Sequence, residues 1–207
     1  MRSDNMTSIR QSYKDQTRAH ILDAAIDQMS EDGAEALTIA QVAARAGVTD
    51  RTVYRHFSTR DELLRAVWPR MQQQVGSRGF PHTAAELVGT PLRLFPNFDR
   101  EEGLVRASVY SEAGREVRLR ANEERQAAML ACVTNAQPDM EPEALRRRAA
   151  IVQLIDSAYG WSVLKDFWGL DGEQAGRAAA EAIAVLLGLA APGEEVDLAP
   201  YRKEEGQ

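Results

Sequence analysis

One short stretch constrains the fold of this chain more than any other, because it carries the signals of two helices and of the turn between them. Residues 37–57 read LTIAQVAARAGVTDRTVYRHF. Thr38 is a favourable N-cap residue, and Gln41 three positions later can complete a capping box. Gly47 stands where a helix commonly ends in the left-handed conformation, which glycine adopts without strain. The pattern therefore predicts two short helices joined by a tight turn.

The second of these helices is predicted over residues 50–56, after Thr49 as its N-cap. Its periodicity turns Arg51, Thr52 and Arg55 largely outward. Two small helices of which the second presents arginines to solvent form a helix-turn-helix, the arrangement that can place a recognition helix in the DNA major groove. The stretch therefore predicts DNA binding.

Charge is distributed unevenly along the chain, whose 207 residues carry a formal net charge of −6. Residues 1–70 contain ten basic and ten acidic side chains, whereas residues 71–207 contain fifteen and twenty-one. Residues 45–70 alone carry a net charge of +3. This local positive charge is compatible with a sequence-specific DNA-binding domain and argues against a protein that binds only the phosphate backbone.

The composition also disfavours several other classes of protein. No apolar run approaches the roughly 18 residues that cross a bilayer, and no apolar segment follows the basic N-terminal residues as in a secretory signal. Cys132 is the single cysteine, which fits a cytoplasmic location with reducing conditions. We find no nucleophile beside a base, no metal-ligand spacing and no phosphate-binding loop, so we expect no catalytic residues, no metal and no cofactor.

The sequence before the helix-turn-helix predicts a further helix. Residues 13–31 carry apolar side chains at helical spacing, and the Asp32-Gly33 pair that follows is expected to end this helix. Residues 1–12 are polar and unpatterned, so we predict a flexible basic arm. The arm is either a solvated tail or a contact for the DNA backbone.

A connecting helix is predicted over residues 59–76, with Thr59 as its N-cap. Pro69 removes a backbone hydrogen bond inside this helix, so it either bends the helix or starts a new segment. Residues 76–81, which read GSRGFP, are the best candidate for a linker between two domains.

The remainder of the chain shows helical periodicity and no strand-like alternation. Helices are expected over residues 83–95, 104–110, 112–133, 143–168 and 174–189, with Gly89 and Pro91 interrupting the first of them. The expected fold class is all-α, an N-terminal three-helix helix-turn-helix domain followed by a C-terminal helical bundle. The expected segments are 1–12, 13–58, 59–76, 77–190 and an acidic tail over 191–207.

The last two predicted helices, about residues 143–189, carry more apolar surface than packing within one bundle requires. Four small residues would let another helix approach closely: Ala175, Ala178, Ala179 and Ala182. We favour a two-fold interface with a second copy of the chain, because a single helix-turn-helix rarely binds DNA specifically by itself. The alternative is that a larger monomer buries these faces.

The sequence around the helix-turn-helix resembles the TetR family of bacterial transcriptional regulators. The resemblance is carried by the pattern LTxxxVAxxAGVxxxTVYxHFxxRxEL, which runs from Leu37 to Leu63. It implies a homodimer that binds a palindromic, double-stranded DNA operator through its N-terminal domain. It also implies a C-terminal domain that holds a small-molecule pocket and the dimer interface. The function that the resemblance implies is a ligand-responsive regulator, expected to be a repressor that the small molecule releases from DNA.

By position, the resemblance implies phosphate contacts for Thr38, Tyr54, His56 and Arg60. Arg60 stands where the family usually has a lysine, so the cation is kept with a different geometry. From side-chain chemistry, Arg51 or Arg55 could donate two hydrogen bonds to a guanine, and the Thr52 methyl group could contact thymine. The predicted DNA-binding set is therefore Thr38, Thr49, Arg51, Thr52, Tyr54, Arg55, His56 and Arg60.

Aromatic residues of the C-terminal part are the candidates for a ligand pocket, because pockets between bundle helices are lined by such side chains. The predicted set is Phe95, Phe98, Tyr110, Trp161 and Trp168. Each of them could instead be an ordinary core residue. Trp161 and Trp168 are seven positions apart and are expected to share a helix face. His82 has no partner at metal-binding spacing and is not predicted to be a ligand.

Two other classes of function are set against the regulator. An architectural or constitutive DNA-binding protein without an effector would discriminate weakly between sequences and would show a steep salt dependence, which the net acidic charge argues against. An enzyme is disfavoured by the lack of any catalytic constellation. The operator sequence, the effector and the regulated genes are left open by the sequence.

Overall fold

The computed structural model describes residues 2–30 and 37–202, with side chains described from residue 11 onward. These residues form eleven α-helices and a short 3₁₀ helix, and no strand is found among them. The helices are α1 Arg2–Ser30, α2 Ile39–Arg45, α3 Asp50–His56, α4 Arg60–Gln74, α5 Ala84–Arg100, α6 Glu102–Tyr110, α7 Glu112–Arg120, α8 Asn122–Ala136, α9 Pro142–Ile155, α10 Ala158–Trp168 and α11 Gly172–Leu186, and the 3₁₀ helix is Ala199–Arg202. None of the described helices is long and apolar enough to cross a bilayer. The predicted all-α class is confirmed.

The N-terminal helices pack around one apolar core. Ile21 of α1, Val42 of α2, Val53 of α3 and Leu63 of α4 are all fully buried in it. Burying such aliphatic side chains contributes about 1.5–3 kcal/mol each, which offsets the low intrinsic stability of helices as short as α2 and α3. The core therefore fixes α3 against its neighbours and leaves its opposite side free.

The first helix is longer than predicted. α1 begins at Arg2, so residues 2–12 belong to a helix and are not the flexible arm that we predicted. The side chains of residues 1–10 and the predicted helix end at Asp32-Gly33 lie outside the described residues, and so do residues 203–207 of the predicted tail.

The local signals of the helix-turn-helix are confirmed. The Thr38 side chain and the Gln41 side chain cap each other's backbone N–H at the start of α2. Gly47 adopts φ +62° in the turn, a left-handed conformation that favours glycine. Thr49 and Thr59 cap α3 and α4 through the backbone N–H groups of Thr52 and Glu62.

Helix breaks in the C-terminal part fall at places that the sequence did not signal. α5 runs unbroken through Gly89 and Pro91, contrary to the predicted interruption. The predicted helix over 112–133 is two helices that meet at Ala121. The predicted helix over 143–168 also divides, because Ser157 accepts a hydrogen bond from Gly160 N at 3.1 Å and starts α10 anew. α4 continues through Pro69, so this proline does not start a new segment.

α11 packs closely along α5, and two glycines make the approach possible. A Cβ atom at Gly176 would lie 2.7 Å from the Pro91 carbonyl oxygen, and one at Gly172 would meet the backbone of Phe95. Ala175 and Ala179 on the same side of α11 are therefore buried within the monomer. This agrees with the alternative interpretation, in which the small residues of α11 pack inside one chain and do not contact a second copy.

Apolar side chains on α9 and α10 remain exposed. The set, here called the α9–α10 face, comprises Ile151, Leu154, Val163, Phe167 and Trp168, which are 49, 55, 48, 81 and 75% exposed. Several large apolar side chains exposed on two neighbouring helices are a candidate interaction site.

The candidate linker and the tail are both packed against the body of the protein. Phe80 in residues 76–81 stacks on Trp68 with ring centroids 6.4 Å apart, and Pro81 is buried. In the tail, Leu198 is 4% exposed. Residues 76–81 therefore form part of the wall of the C-terminal bundle.

Candidate nucleic-acid interface and ligand cavity

The recognition helix α3 presents a basic surface. Arg51 and Arg55 are exposed, and neither forms an ion pair or a side-chain hydrogen bond within the part of the chain that the structure describes. Tyr54 between them is 51% exposed. The opposite side is anchored by Val53 and Phe57, both fully buried. Free guanidinium groups on a fixed helix can reach base edges in a major groove.

Two of the three threonines in the predicted DNA-binding set, Thr38 and Thr49, act as helix caps. Thr38 Oγ1 donates to Gln41 Oε1 at 2.6 Å and accepts from Gln41 N at 3.3 Å. Thr49 Oγ1 accepts from Thr52 N at 3.2 Å and lies 3.1 Å from Thr52 Oγ1. Thr38 and Thr49 are exposed, and Thr52 is half-buried. These hydroxyl groups fix the starts of α2 and α3, whatever further contact they make.

His56 is not placed as a phosphate contact in this conformation. Both ring nitrogens are buried and have no hydrogen-bond partner within the described residues. Burial lowers the pKa of His56 below its ordinary value, and the charges of Arg55, Lys14 and Arg18 lower it further. With its pKa lowered, the imidazole is mostly neutral at pH 7, and its buried ring nitrogens offer no donor to a phosphate in this conformation.

Arg60, which the resemblance places on phosphate, is engaged within the protein instead. Its Nη1 and Nη2 atoms donate to the two carboxylate oxygens of Glu116 on α7, each at 2.7 Å. Its Nε atom donates to the Leu37 carbonyl oxygen at 2.6 Å. The hydrogen bonds from Arg60 lower the pKa of Glu116, so the carboxylate stays ionised. In this conformation Arg60 ties the start of α4 to the C-terminal part.

A cavity of about 290 Å³ lies where α4 meets the C-terminal helices. Its walls come from α4 through α10 and from the segment 76–81. Trp68 on α4 and Phe80 in that segment close one side. Its size is at the lower end of ligand pockets, which measure about 300–1,000 Å³. The cavity is therefore suited to a small organic molecule.

The aromatic residues predicted to line a pocket are mostly elsewhere. Phe98 lines the cavity, but Phe95 and Trp161 are buried in the core outside it, and Tyr110 and Trp168 are 62% and 75% exposed. Trp161 is held by a hydrogen bond from its Nε1 atom to Asp99 Oδ1 at 3.0 Å. Trp168 lies two turns after Trp161 and is the last residue of α10. The two tryptophans share a helix face as predicted, but only Trp161 is buried.

Sequence reasoning missed the polar residues of this cavity. The cavity is lined by Arg118 of α7, Arg125 of α8 and Asp156 at the break between α9 and α10. The two arginines stand in a charge-rich sequence that is typical of a solvated helix face. The sequence did contain one signal that residues 76–81 are packed. Phe80 is a large apolar side chain between a glycine and a proline, which is unusual for a solvated linker.

Comparison with known proteins places the similarity in the N-terminal part. Residues 21–67 match the family described as bacterial regulatory proteins, tetR family. The chain is 31% identical over 77 residues to the HTH-type transcriptional regulator AcrR of Shigella flexneri, a match of 37% of this chain and 35% of that protein. It is 43% identical over 54 residues to an HTH-type transcriptional repressor of Mycobacterium tuberculosis (26% and 29%). It is 42% identical over 53 residues to the HTH-type transcriptional regulator SrpR of Pseudomonas putida (26% and 25%). The matched segments span about a third or less of the length of these relatives.

Proposed function

We propose that this chain, whose residues 21–67 match the tetR family of bacterial regulatory proteins, is a repressor which a small molecule in the C-terminal cavity releases from DNA. The repressor binds a palindromic operator as a homodimer. Arg51 and Arg55 read base edges, the Thr52 methyl group contacts a base, and Tyr54 contacts a phosphate. Unpaired, exposed guanidinium groups on a helix whose other side is buried support this assignment.

One observation carries the proposal: α4 joins the two functional parts. Arg60 in its first turn is bonded to Leu37, just before the helix-turn-helix. Trp68, eight residues later, lines the cavity. At 1.5 Å per residue the two positions are about 12 Å apart along a continuous helix. A molecule that displaces Trp68 therefore acts on the helix that positions α3.

The α9–α10 face supports the homodimer. Its exposed apolar residues lie on the helices for which the sequence predicts a two-fold interface, and they are not used in the core of the monomer. A second copy packed there would give the assembly two recognition helices. Repression requires these helices to match half-sites about 34–36 Å apart, and a ligand-induced movement of α4 would disturb this match.

Selection of bound sequences from random double-stranded DNA tests the operator. We expect a palindrome whose half-site centres are one helical turn apart, and we expect the Phe167→Ser variant to sediment as a monomer and to bind this sequence weakly. Arg115→Ser, which changes an exposed residue of α7 and so lies on neither helix of the α9–α10 face, is the control. Enrichment of no sequence, together with a steep salt dependence, would favour an architectural DNA-binding protein instead.

A screen for ligand release follows on the selected operator. Compounds that bind the protein in thermal-shift experiments should lower its operator affinity at fixed salt concentration. If tightly bound compounds leave operator affinity unchanged, the protein is a constitutive DNA-binding protein and the release step is wrong.

A further inference from the structure

The polar side chains of the cavity carry information about the molecule that fits it. Arg118 and Arg125 bring two guanidinium groups to its wall, and Asp156 brings one carboxyl group. The remaining wall is largely apolar, with Leu94, Phe98 and Met129 among its residues. The cavity therefore offers an apolar compartment beside a small group of charges.

Arg125 is the least satisfied of these groups. Its Cζ atom lies 4.8 Å from the centroid of the Trp68 ring and 5.7 Å from that of Phe80. Its side chain forms no hydrogen bond and no ion pair within the residues that the structure describes. Burial and the charge of Arg118 lower its pKa to about 10, so it remains a cation at neutral pH. The two aromatic rings position this cation while its N–H donors are left without acceptors.

Arg118 is held more firmly at the same wall. Its Nη2 atom donates to the Val109 carbonyl oxygen at 3.1 Å and to Tyr159 Oη at 3.2 Å. Its Cζ atom lies 4.8 Å from the centroid of the Tyr159 ring. Its Nε atom is buried without a partner among the described residues. Arg118 therefore adds fixed positive charge to the surroundings of Arg125.

Asp156 does not neutralise this pair. Its Oδ1 atom is buried and has no hydrogen-bond partner in the described chain, and it forms no ion pair with either arginine. Burial raises the pKa of Asp156 well above its ordinary value, although the charges of Arg93 and Arg125 oppose the shift. Even an ionised Asp156 would offset only one of the two guanidinium charges, so the cavity wall keeps an excess of positive charge.

We propose that the effector is a small aromatic or aliphatic carboxylate, whose carboxylate group accepts hydrogen bonds from Arg125 and whose apolar body lies toward Leu94 and Phe98. This inference rests on the proposed function, because it names the ligand class of the same cavity. A planar carboxylate matches the forked donors of a guanidinium group. A single negative charge offsets the excess of the arginine pair.

Matched ligands of different charge test the class. We would titrate the full-length protein calorimetrically with the carboxylate, the carboxamide and the primary amine of three bodies: 3-phenylpropyl, 2-naphthylmethyl and n-octyl. For at least one body the carboxylate should bind about tenfold or more tightly than the carboxamide, and the amine should bind more weakly still. Equal or tighter binding of the neutral or cationic compounds, or no binding of any carboxylate, overturns the proposal.

Variants locate the contact. Arg125→Gln should abolish the preference for the carboxylate over the carboxamide, and Arg125→Lys should keep a reduced preference, because the charge is retained and the fork is lost. Arg115→Gln, at an exposed position of α7 outside the cavity, is the control and should behave as the wild type. If Arg125→Gln does not fold, the test is whether Arg125→Lys shows a reduced preference for the carboxylate over the carboxamide. An unchanged preference in that variant removes Arg125 from the site.

The failure of this inference can be told apart from that of the proposed function. A selected operator that is released by amides or amines, and not by carboxylates, keeps the repressor and overturns the ligand class. Carboxylate binding that depends on Arg125 but leaves operator affinity unchanged keeps the ligand class and overturns the release step.

Discussion

The guanidinium group of Arg60 and the carboxylate of Glu116 form a two-fold hydrogen-bonded ion pair, with both N–O distances 2.7 Å. The pair joins the start of α4 to α7, and Arg120 of α7 forms a second ion pair with Asp61 at 2.7 Å. The resemblance to the TetR family implies that Arg60 contacts a DNA phosphate. The hydrogen bonds from Arg60 to Glu116 and Leu37 use three of the five N–H donors of the guanidinium group, and the two that remain point to opposite sides. A two-fold contact of Arg60 with one phosphate therefore requires the contact with Glu116 to open.

Glu116→Gln is expected to raise operator affinity by up to about fivefold, because a partly exposed ion pair of about 1 kcal/mol or less no longer opposes the transfer of Arg60 to phosphate. Operator titration at fixed salt concentration measures this effect. Glu112→Gln, at an exposed position at the start of the same helix, is the control. Unchanged or lower affinity in Glu116→Gln would mean that the ion pair is structural only.

Arg55→Ala is expected to reduce affinity for the selected operator by roughly tenfold to a hundredfold, the value of one bidentate contact to guanine. The protein should remain folded, because the Arg55 side chain is exposed and makes no contact in the described chain that the fold needs. Fluorescence anisotropy with labelled operator measures the loss, and circular dichroism checks the fold. Arg146→Ala in α9 is the exposed control. Wild-type affinity in Arg55→Ala would remove Arg55 from the set of base readers.

Pro69→Ala is expected to change the response to effector more than the affinity for DNA in the absence of effector. The substitution restores a backbone N–H inside α4, between the position of Arg60 and the end of the helix, and so alters the stiffness of the connecting element. Operator release is measured against effector concentration in both proteins. Superimposable release curves would contradict a mechanical role for α4 at this position.

Gly176→Ala is expected to destabilise the protein by about 1–3 kcal/mol, because the added methyl group would lie 2.7 Å from the Pro91 carbonyl oxygen and would force α11 away from α5. Urea denaturation measures the free energy of unfolding. Gly103→Ala is the matched control, since nothing lies within 4 Å of its Cβ position in α6. There the greater helix propensity of alanine should leave stability unchanged or raise it by up to about 1 kcal/mol. Equal effects of the two substitutions would show that the contact between α5 and α11 can relax.

His56 is expected to make the protein less stable as the pH falls below about 6.5. Its pKa is lowered in the folded protein, so the unfolded chain takes up the proton first and unfolding is favoured between the ordinary and the lowered pKa. Well above pH 6.5 the imidazole is neutral in both the folded and the unfolded state, and this contribution is absent. His56→Gln should flatten the dependence of the unfolding free energy on pH, whereas His82→Gln, at an exposed position, should not. Parallel pH profiles of His56→Gln and the wild type would contradict a buried, unpaired imidazole.

The DNA-binding half was predictable because its signals are local. The caps at Thr38, Thr49 and Thr59 and the turn at Gly47 depend on residues within four positions of each other, and the structure contains all of them. Local patterns did not show that Arg60 is paired with Glu116, because that contact joins residues 56 positions apart. For the same reason the pattern could not show that the His56 ring nitrogens are buried.

The C-terminal half was predictable as helices but not as a site. Gly89 read as a helix breaker, although it lies inside α5, where a Cβ atom would come within 2.6 Å of the Tyr201 carbonyl oxygen. Trp161 and Trp168 were paired by helical spacing alone, yet the end of α10 leaves the second ring in solvent. Arg125 gave no signal at all, because its neighbours in the sequence are those of a solvated helix and its cavity is built by distant segments.

The position of Arg125 above the Trp68 ring should make the fluorescence of this tryptophan sensitive to binding in the cavity. The chain has three tryptophans; Trp68 lines the cavity, whereas Trp161 is enclosed in the core and Trp168 stands in solvent. A molecule that draws Arg125 away from the indole would change the emission of Trp68 and leave the other two rings in their surroundings. Occupancy of the cavity can thus be followed by intrinsic fluorescence, without a label and with occupants that absorb no light themselves.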